Sequence, residues 1–327
     1  MNITFGTRQG GVALVTAMFF IAIVATLATF LAVSQQTWLR QAQNLSDLGQ
    51  ADGITRGAIQ LAGVLLLENA KKSSAITDLA EILNKPVPLP VDGGFVTIEI
   101  EDAQSRFNLN NLVTGVGTNR APNTKEIAVF EQLLSDLDLD TSLKSSLLDW
   151  LDPDANVEPN GGAEDLDYAN QDPPYRPANR ALESVDELRR IKGFTPEVVE
   201  KLRDLVTALP LAGSPIPVNV NTAKPEVIAA VTRVPVAMLP AATEGKNARQ
   251  FTTKQDFDAL LPNNQGNAAD RGRYEVKTDM FKIKVLARVG RITRRTDALV
   301  KRENGTLVIH WQEPTRWQIE PSKPDET

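Results

Sequence analysis

The chain has 327 residues, with 35 Lys and Arg against 41 Asp and Glu, one His and no Cys, for a formal charge of −6. The absence of Cys and the single His310 exclude cysteine-ligated zinc, cysteine nucleophiles and any site that needs two imidazoles. Residues 1–40 hold two Arg and no acid, leaving 33 basic against 41 acidic groups, or −8, on residues 41–327, which is not the basic footprint of a nucleic-acid binder.

Taken in order, residues 9–39 form an uncharged run of 31. Within it, GGVALVTAMFFIAIVATLATFLAV at 10–33 predicts a membrane-spanning helix, because about 20 apolar residues at ~1.5 Å each cross a hydrocarbon core roughly 30 Å thick. The run is longer than the apolar core of a secretory signal peptide. Arg8 before it and Arg40 after it leave the positive-inside rule nearly silent on orientation. No proline occurs between Val12 and Lys85, and Leu45, Leu48, Ile54, Ala58, Leu61 and Leu65 recur with polar residues between them, so one long helix is expected to leave the membrane. Gly49, Gly53 and Gly57 interrupt it, each at about 1 kcal/mol relative to Ala. Either they form a stripe where another backbone packs, against the head or a neighbouring subunit, or they soften the helix. Residues 71–83 are expected to end the helical part, and Pro86, Pro88 and Pro90 to stop it.

FVTIEIED at 95–102 alternates as a half-buried strand does. Further strands come only near the end, in the alternation of Phe281, Ile283 and Val285 with Lys282 and Lys284, and in 298–300 and 307–311 around the hairpin turn Asn304-Gly305. Residues 103–278 between them read mainly as helices: KEIAVFEQLLSDL, TSLKSSLLDWL, SVDELRRI, TPEVVEKLRDLVTAL, KPEVIAAVT and TKQDFDALL. The fold class predicted is α+β, a long N-terminal helix packed on a small antiparallel sheet, with a large all-helical domain inserted between its strands. The ends of the insertion are expected near Asp102 and Asp279.

Residues 136–172 hold 11 acids and one base, Lys144, a local charge of −10. Repulsion on that scale calls for a counter-charge. Asp152-Pro-Asp154-Ala-Asn156 fits the first half of a calcium loop, D-x-[DN]-x-[DN]. The second half departs from it: Val157 stands where an EF-hand has Gly, and Glu164 falls at the thirteenth position after a Gly161-Gly162 turn. The ingredients are still hard carboxylates, a tight turn and a closing Glu164-Asp165 pair, a set suited to Ca2+ more than to Mg2+ with its strict octahedron. A solvated acidic loop is the plainer alternative, and a carboxylate pair for glycoside hydrolysis a remoter one. ELRRIKGFTPEVVEKL and VNVNTAKPEVIAAV are similar to helix-hairpin-helix units, which present backbone N–H groups to phosphates; Thr195 replaces the second Gly and the surroundings are acidic, so packing is the expected role. The cluster Arg288, Arg291, Arg294, Arg295, Lys301 and Arg302 is expected to be a solvated sheet face, with a binding patch for a more acidic partner or for lipid headgroups as the alternative.

The leader MNITFGTRQGG, set directly against Val12, resembles the class III leaders of type IV pilins and type II secretion pseudopilins. FNLNNL at 107–112, LLDWLDPD at 147–154, GGAED at 161–165, Tyr168, PPYRPAN at 173–179, ESVDELRRIKGF at 183–194 and VNVNTA at 218–223 are similar, in that order, to the signature blocks of K-type minor pseudopilins. Most pilins carry Glu at the fifth mature residue; Thr16 stands there, and the K type is the pseudopilin that lacks that Glu. The resemblance implies a leader at 1–11 cut by prepilin peptidase between Gly11 and Val12, a transmembrane part at 12–34, a helix continuation and first strand at 35–106, an inserted helical calcium-binding domain at 107–278, remaining strands at 279–318 and a disordered tail at 319–327. It implies a non-enzymatic subunit in the bacterial inner membrane with a periplasmic head. Its partners would be the I- and J-type minor pseudopilins, the major pseudopilin and membrane lipid, with no nucleic acid, and its place the tip of a pseudopilus that supports protein export. Carried over, Asp152, Asp154, Glu164 and Asp165 are the first candidates to bind calcium, with Asp149, Asp167 and Asp172 behind them, and Tyr168 and Tyr175 as packing groups. A competence-type DNA-binding pseudopilin and a membrane-anchored hydrolase are the rival functions.

Overall fold

A computed structural model describes residues 10–72, 86–115, 117–210, 213–239, 250–262 and 272–319. Helix α1, Gly10–Lys72, is continuous for 63 residues. Its first third, with Val12, Leu14, Phe19, Phe20, Leu27 and Phe30, is exposed throughout and is long and apolar enough to cross a membrane. Its last third turns one side, Ala51, Ala58, Ile59, Ala62 and Leu66, onto a sheet and buries it completely. The three glycines do not break the helix. A Cβ on Gly49, Gly53 or Gly57 would meet nothing within 4 Å, so they lie away from the head and leave an open strip along the helix. The expected helix end at 71–83 lies mostly outside the described residues.

The sheet has five antiparallel strands in the order β1 (Val87–Val91), β2 (Gly94–Asp102), β9 (Met280–Val289), β10 (Ile292–Glu303), β11 (Thr306–Ile319). Val96, Ile98 and Ile100 of β2 and Phe281, Ile283, Val285, Ala287 and Val289 of β9 point to α1, while the residues between them form the other face. Asn304 and Gly305 take φ values of 51° and 74°, the left-handed pair that a two-residue hairpin with the sheet's twist requires, and Glu303 faces Thr306 across it. Strand β1 was not expected, since Pro88 and Pro90 read as breakers. It forms because it is an edge strand, where one row of N–H groups needs no partner.

The insertion leaves and re-enters the sheet at one place. Asp102 pairs with Phe281, and the Ala103 N–H donates to the Met280 carbonyl at 3.0 Å. The Asp102 carboxylate is buried there, accepting from Gln104 N–H at 2.8 Å and Asn219 Nδ2 at 2.7 Å, and burial holds its pKa above the ordinary carboxylate range. Within the insertion lie helices α2 (Thr124–Asp136), α3 (Leu143–Leu151), α4 (Asp165–Ala169), α5 (Pro196–Arg203), α6 (Pro225–Thr232) and α7 (Lys254–Asp258) around a core of their own, including Phe107, Phe130, Leu147, Trp150, Tyr168 and Tyr274. It is not purely helical. VDELRR at Val185–Arg190 is a 3-10 turn, and three two-residue ladders, β3 (Phe107–Asn108) with β6 (Val206–Thr207), β4 (Val113–Thr114) with β5 (Ala121–Pro122), and β7 (Val218–Asn219) with β8 (Tyr274–Glu275), tie loops together. Pairings this short carry no periodicity that a sequence could display.

The FNLNNL block works as a clamp. Asn108, Asn110 and Asn111 are all buried, and their side chains bond backbone from distant loops. The Asn110 amide donates to the Leu182 and Leu209 carbonyls at 2.9 Å each and accepts from Leu182 N–H at 2.8 Å. Asn111 exchanges two bonds of 2.9 Å with Ile216.

Candidate metal centre

The acidic loop is built outward from α3. Asp149 lies on the buried side of that helix, and its carboxylate accepts from Glu158 N–H at 3.0 Å and Ala163 N–H at 2.6 Å, closing the loop 152–163 into a ring over the helix end. A side chain at Gly162 would collide with the Asp149 carboxylate and the Glu158 carbonyl, which is why a glycine stands there. Asp152 is the C-cap of α3, where Pro153 forbids another helical turn, and Glu164 is the N-cap of α4. The two helix ends thus deliver carboxylates from opposite sides of the loop.

One oxygen from each of Asp152, Asp154 and Glu164 lies within 4.8 Å of the other two. Asp152 and Glu164 are buried, at 4% and 5% exposure, and Asp152 Oδ1 and both Glu164 carboxylate oxygens have no hydrogen-bond partner. Leaving buried carboxylate oxygens unpaired costs kcal/mol each, so the arrangement needs either protons or a cation. Burial, reinforced by the neighbouring carboxylates, pushes Asp152 up to about 6 and Glu164 up to about 7. The donor set is all oxygen and anionic, which fits a hard divalent cation.

The other sequence candidates divide by what already engages them. Asp149 organises the loop through backbone N–H groups instead of joining the trio. Asp167 ion-pairs with Lys192 at 2.7 Å, which lowers its pKa, and accepts from Glu164 N–H at 3.3 Å, so it fixes the turn that presents Glu164. Asp165, expected among the first ligands, is exposed on the first turn of α4 and is not one of the three grouped carboxylates. Asp172 is likewise exposed. Tyr168 and Tyr175 pack, with ring centroids 5.3 Å apart and both edge-on to Trp150; Tyr175 Oη donates to the Arg190 carbonyl at 2.7 Å.

The rival chemistries find less support. At the first hairpin, Thr195 caps α5 by accepting from the Val198 N–H at 3.4 Å, and Glu197 places a carboxylate in the first turn, so the N–H end that would face a phosphate already carries a side-chain cap and a negative charge. Gly193 takes φ 88°, a backbone that favours glycine, and a Cβ there would also press on the end of the Leu143 side chain at 2.7 Å. In the basic cluster, Arg294 pairs with Asp52 at 2.7 Å, Arg295 with Asp297 at 3.2 Å and Arg302 with Asp279 at 3.4 Å, which leaves no unbroken cationic face across those three.

The raised carboxyl groups set a pH dependence. An acid with a higher pKa folded than unfolded binds more protons in the folded state, so its contribution to stability falls as pH rises. For Asp152 and Glu164 the fall runs from their ordinary values of 3.8 and 4.5 up to about 6 and about 7. In chelator, the melting temperature of the parent chain relative to an Asp152→Asn, Glu164→Gln variant is expected to drop between pH 5 and 8. Added calcium should reverse the trend, because metal and protons compete for the same oxygens. Parallel melting curves for the two proteins across that range would contradict it.

A membrane-length helix that runs on to pack across a five-stranded antiparallel sheet, with a helical block inserted between β2 and β9, defines a pilin-like protein with, among the described residues, one N-terminal apolar helix suited to single-pass anchoring. The family description "Type II secretion system (T2SS), protein K" matches residues 105–211, which include the whole acidic loop. Type II secretion system protein K of Pseudomonas aeruginosa is 32% identical over 286 residues, spanning 84% of this chain and 83% of the relative, and that of Pectobacterium carotovorum is 29% identical over 299 residues, spanning 87% and 90%. The fold is similar to that in the crystal structure of the GspK-GspI-GspJ complex from the enterotoxigenic Escherichia coli type 2 secretion system, with a TM-score of 0.69 at 22% identity over 84% of this chain and 99% of that one. The chain belongs to the type II secretion system protein K family.

Proposed function

We propose that this chain is the terminal subunit of a type II secretion pseudopilus, non-enzymatic, anchored in the inner membrane by α1 with its head in the periplasm, and assembled with I- and J-type minor pseudopilins. The observation that carries the reading is the likeness, along nearly the whole of the relative, to a protein solved together with GspI and GspJ. Prepilin peptidase would cut between Gly11 and Val12, making Thr16 the fifth mature residue. Thr16 Oγ1 donates to the Val12 and Ala13 carbonyls at 3.0 Å, so its polar group is satisfied within α1 and offers no charge to the N-terminus of a neighbour. The open strip at Gly49, Gly53 and Gly57 leaves room for close approach of a neighbouring helix, while the inserted domain obstructs stacking above. Together these fit a subunit that receives partners below and none beyond.

Co-expression tests this. Tagged chain should retain both the I and J proteins through purification in detergent, and Thr16→Glu should reduce secretion and let further subunits cap the complex. Failure to retain either partner, with the chain folded and membrane-inserted, would sink the assembly; secretion wholly indifferent to Thr16→Glu would sink the role of the missing charge.

We further propose that Asp152, Asp154 and Glu164 hold a calcium ion. Bound there, it would supply the positive charge that lets all three ionise together. The rest is done by the chain: Asp149 and Gly162 shape the loop, Asp167 and Lys192 fix the Glu164 turn, and the Trp150–Tyr168–Tyr175 cluster backs it with apolar surface. No catalytic step is assigned to these residues.

A further inference from the structure

Asn179 ends the PPYRPAN segment, which the three carboxylates do not include. It sits at φ 45°, in the left-handed region that Asn tolerates better than most residues. Two contacts set it against the acidic loop. Its Nδ2 donates to the Asp154 carbonyl in a long bond of 3.5 Å. Arg120 donates through Nε to the Leu151 carbonyl at 2.9 Å and through its terminal nitrogen to the Asn179 carbonyl, so one guanidinium binds Asn179 to the residue immediately before Asp152. The Asn179 Oδ1 is buried and has no hydrogen-bond partner, as have Asp152 Oδ1 and both Glu164 oxygens. An amide oxygen in that state forgoes a bond worth about 1 kcal/mol or more.

We propose that Asn179 is a fourth protein ligand of the cation, through its side-chain carbonyl, an inference that rests on the calcium reading of the trio. Calcium takes six to eight oxygens and accepts amide carbonyls readily. Three carboxylates already over-neutralise a divalent ion by one charge, so a neutral donor adds coordination without adding repulsion. The fourth nearby carboxylate, Asp149, is committed to the N–H groups of Glu158 and Ala163. Sequence reading passes over Asn179 because it lies 15 residues beyond Glu164 and belongs to no recurring loop spacing.

The test is calorimetric titration of calcium chloride into the full chain in detergent, for the parent, Asn179→Gly and Asn179→Asp, with melting temperatures taken in chelator. Glycine removes the amide while suiting the left-handed backbone, so the fold should survive. Expected is a Kd at least tenfold weaker for Asn179→Gly, a chelator melting temperature close to the parent's, and recovery of affinity in Asn179→Asp, which restores an oxygen. Parent-like affinity in Asn179→Gly would overturn the assignment while leaving the trio standing, even if that variant melted lower with and without calcium alike. No saturable binding by the parent would overturn both.

Discussion

Asp152→Asn combined with Glu164→Gln will abolish the calcium-dependent rise in melting temperature and, in chelator above pH 7, will leave the chain at least as stable as the parent. The two halves of that result have one cause. In the metal-free parent, two buried carboxyls whose pKa values stand at about 6 and about 7 must ionise beside each other and beside Asp154 at that pH. Amides of the same shape remove that repulsion. With calcium at 100 times its Kd, binding to the folded state alone stabilises the parent by about 2.7 kcal/mol. For a head of this size each kcal/mol moves the melting temperature by about 2–4 °C, so the parent should gain about 5–10 °C and the variant nothing. A variant destabilised equally in chelator and in calcium would mean that the carboxylates serve the fold and not an ion. Magnesium at equal concentration should produce a much smaller shift in the parent, since the loop supplies several oxygens from carboxylates on two helix ends and does not impose an octahedron.

Asn110→Leu should be the most damaging single change of a polar residue in the insertion. The residue is fully buried, and the substitution keeps the branched shape but adds bulk while stripping partners from the Leu182 N–H and carbonyl and from the Leu209 carbonyl. A buried backbone group left unpaired costs about 1–3 kcal/mol, and Asn108 Nδ2 reaches the Leu209 carbonyl only at 3.3 Å, so the sum should be about 3–5 kcal/mol. Thermal unfolding of the full chain in detergent checks it, beside Asn170→Ala, which loses only an exposed bond to the Leu166 carbonyl and should stay within about 0.5 kcal/mol. The clamp also holds the 182 loop, which follows Asn179, so Asn110→Leu should weaken calcium binding as well. Near-parental stability would mean that those loops are held by packing alone.

Much of this was legible from residue pattern. An uncharged run of 31 marks a helix long and apolar enough to cross a membrane, alternation marks β2 and β9, and Asn304-Gly305 fixes the final hairpin because few other pairs accept positive φ twice in succession. Asp152 and Asp154 were visible as alternate oxygens in a turn, and Glu164 as the carboxylate that follows the glycine pair. Elsewhere the pattern is silent for identifiable reasons. Pro88 and Pro90 conceal β1, because only its place at the sheet edge makes proline acceptable. Asp149, Asp165 and Asp167 cannot be told apart from Asp152 by composition: what separates them is which N–H groups and which lysine reach them, and those come from residues 9 to 25 positions away or from the direction a short helix faces. The asparagines at 108, 110 and 111 bond backbone 72 to 105 residues distant, contacts that exist only once the insertion has closed.

The helix α1 and the sheet form a pilin-like platform, and the insertion set on it has an acidic loop whose unpaired carboxylate oxygens we propose are held together by calcium. Calorimetric titration of calcium into the full-length chain in detergent, stripped with chelator beforehand and repeated in excess magnesium, tests the proposed calcium centre most directly. Saturable binding that survives magnesium, with proton release that grows as the pH is lowered from 8 toward 6, is the result expected. No saturable heat, or binding erased by magnesium, would contradict the calcium centre and return the 11 acids of residues 136–172 to the role of a solvated loop.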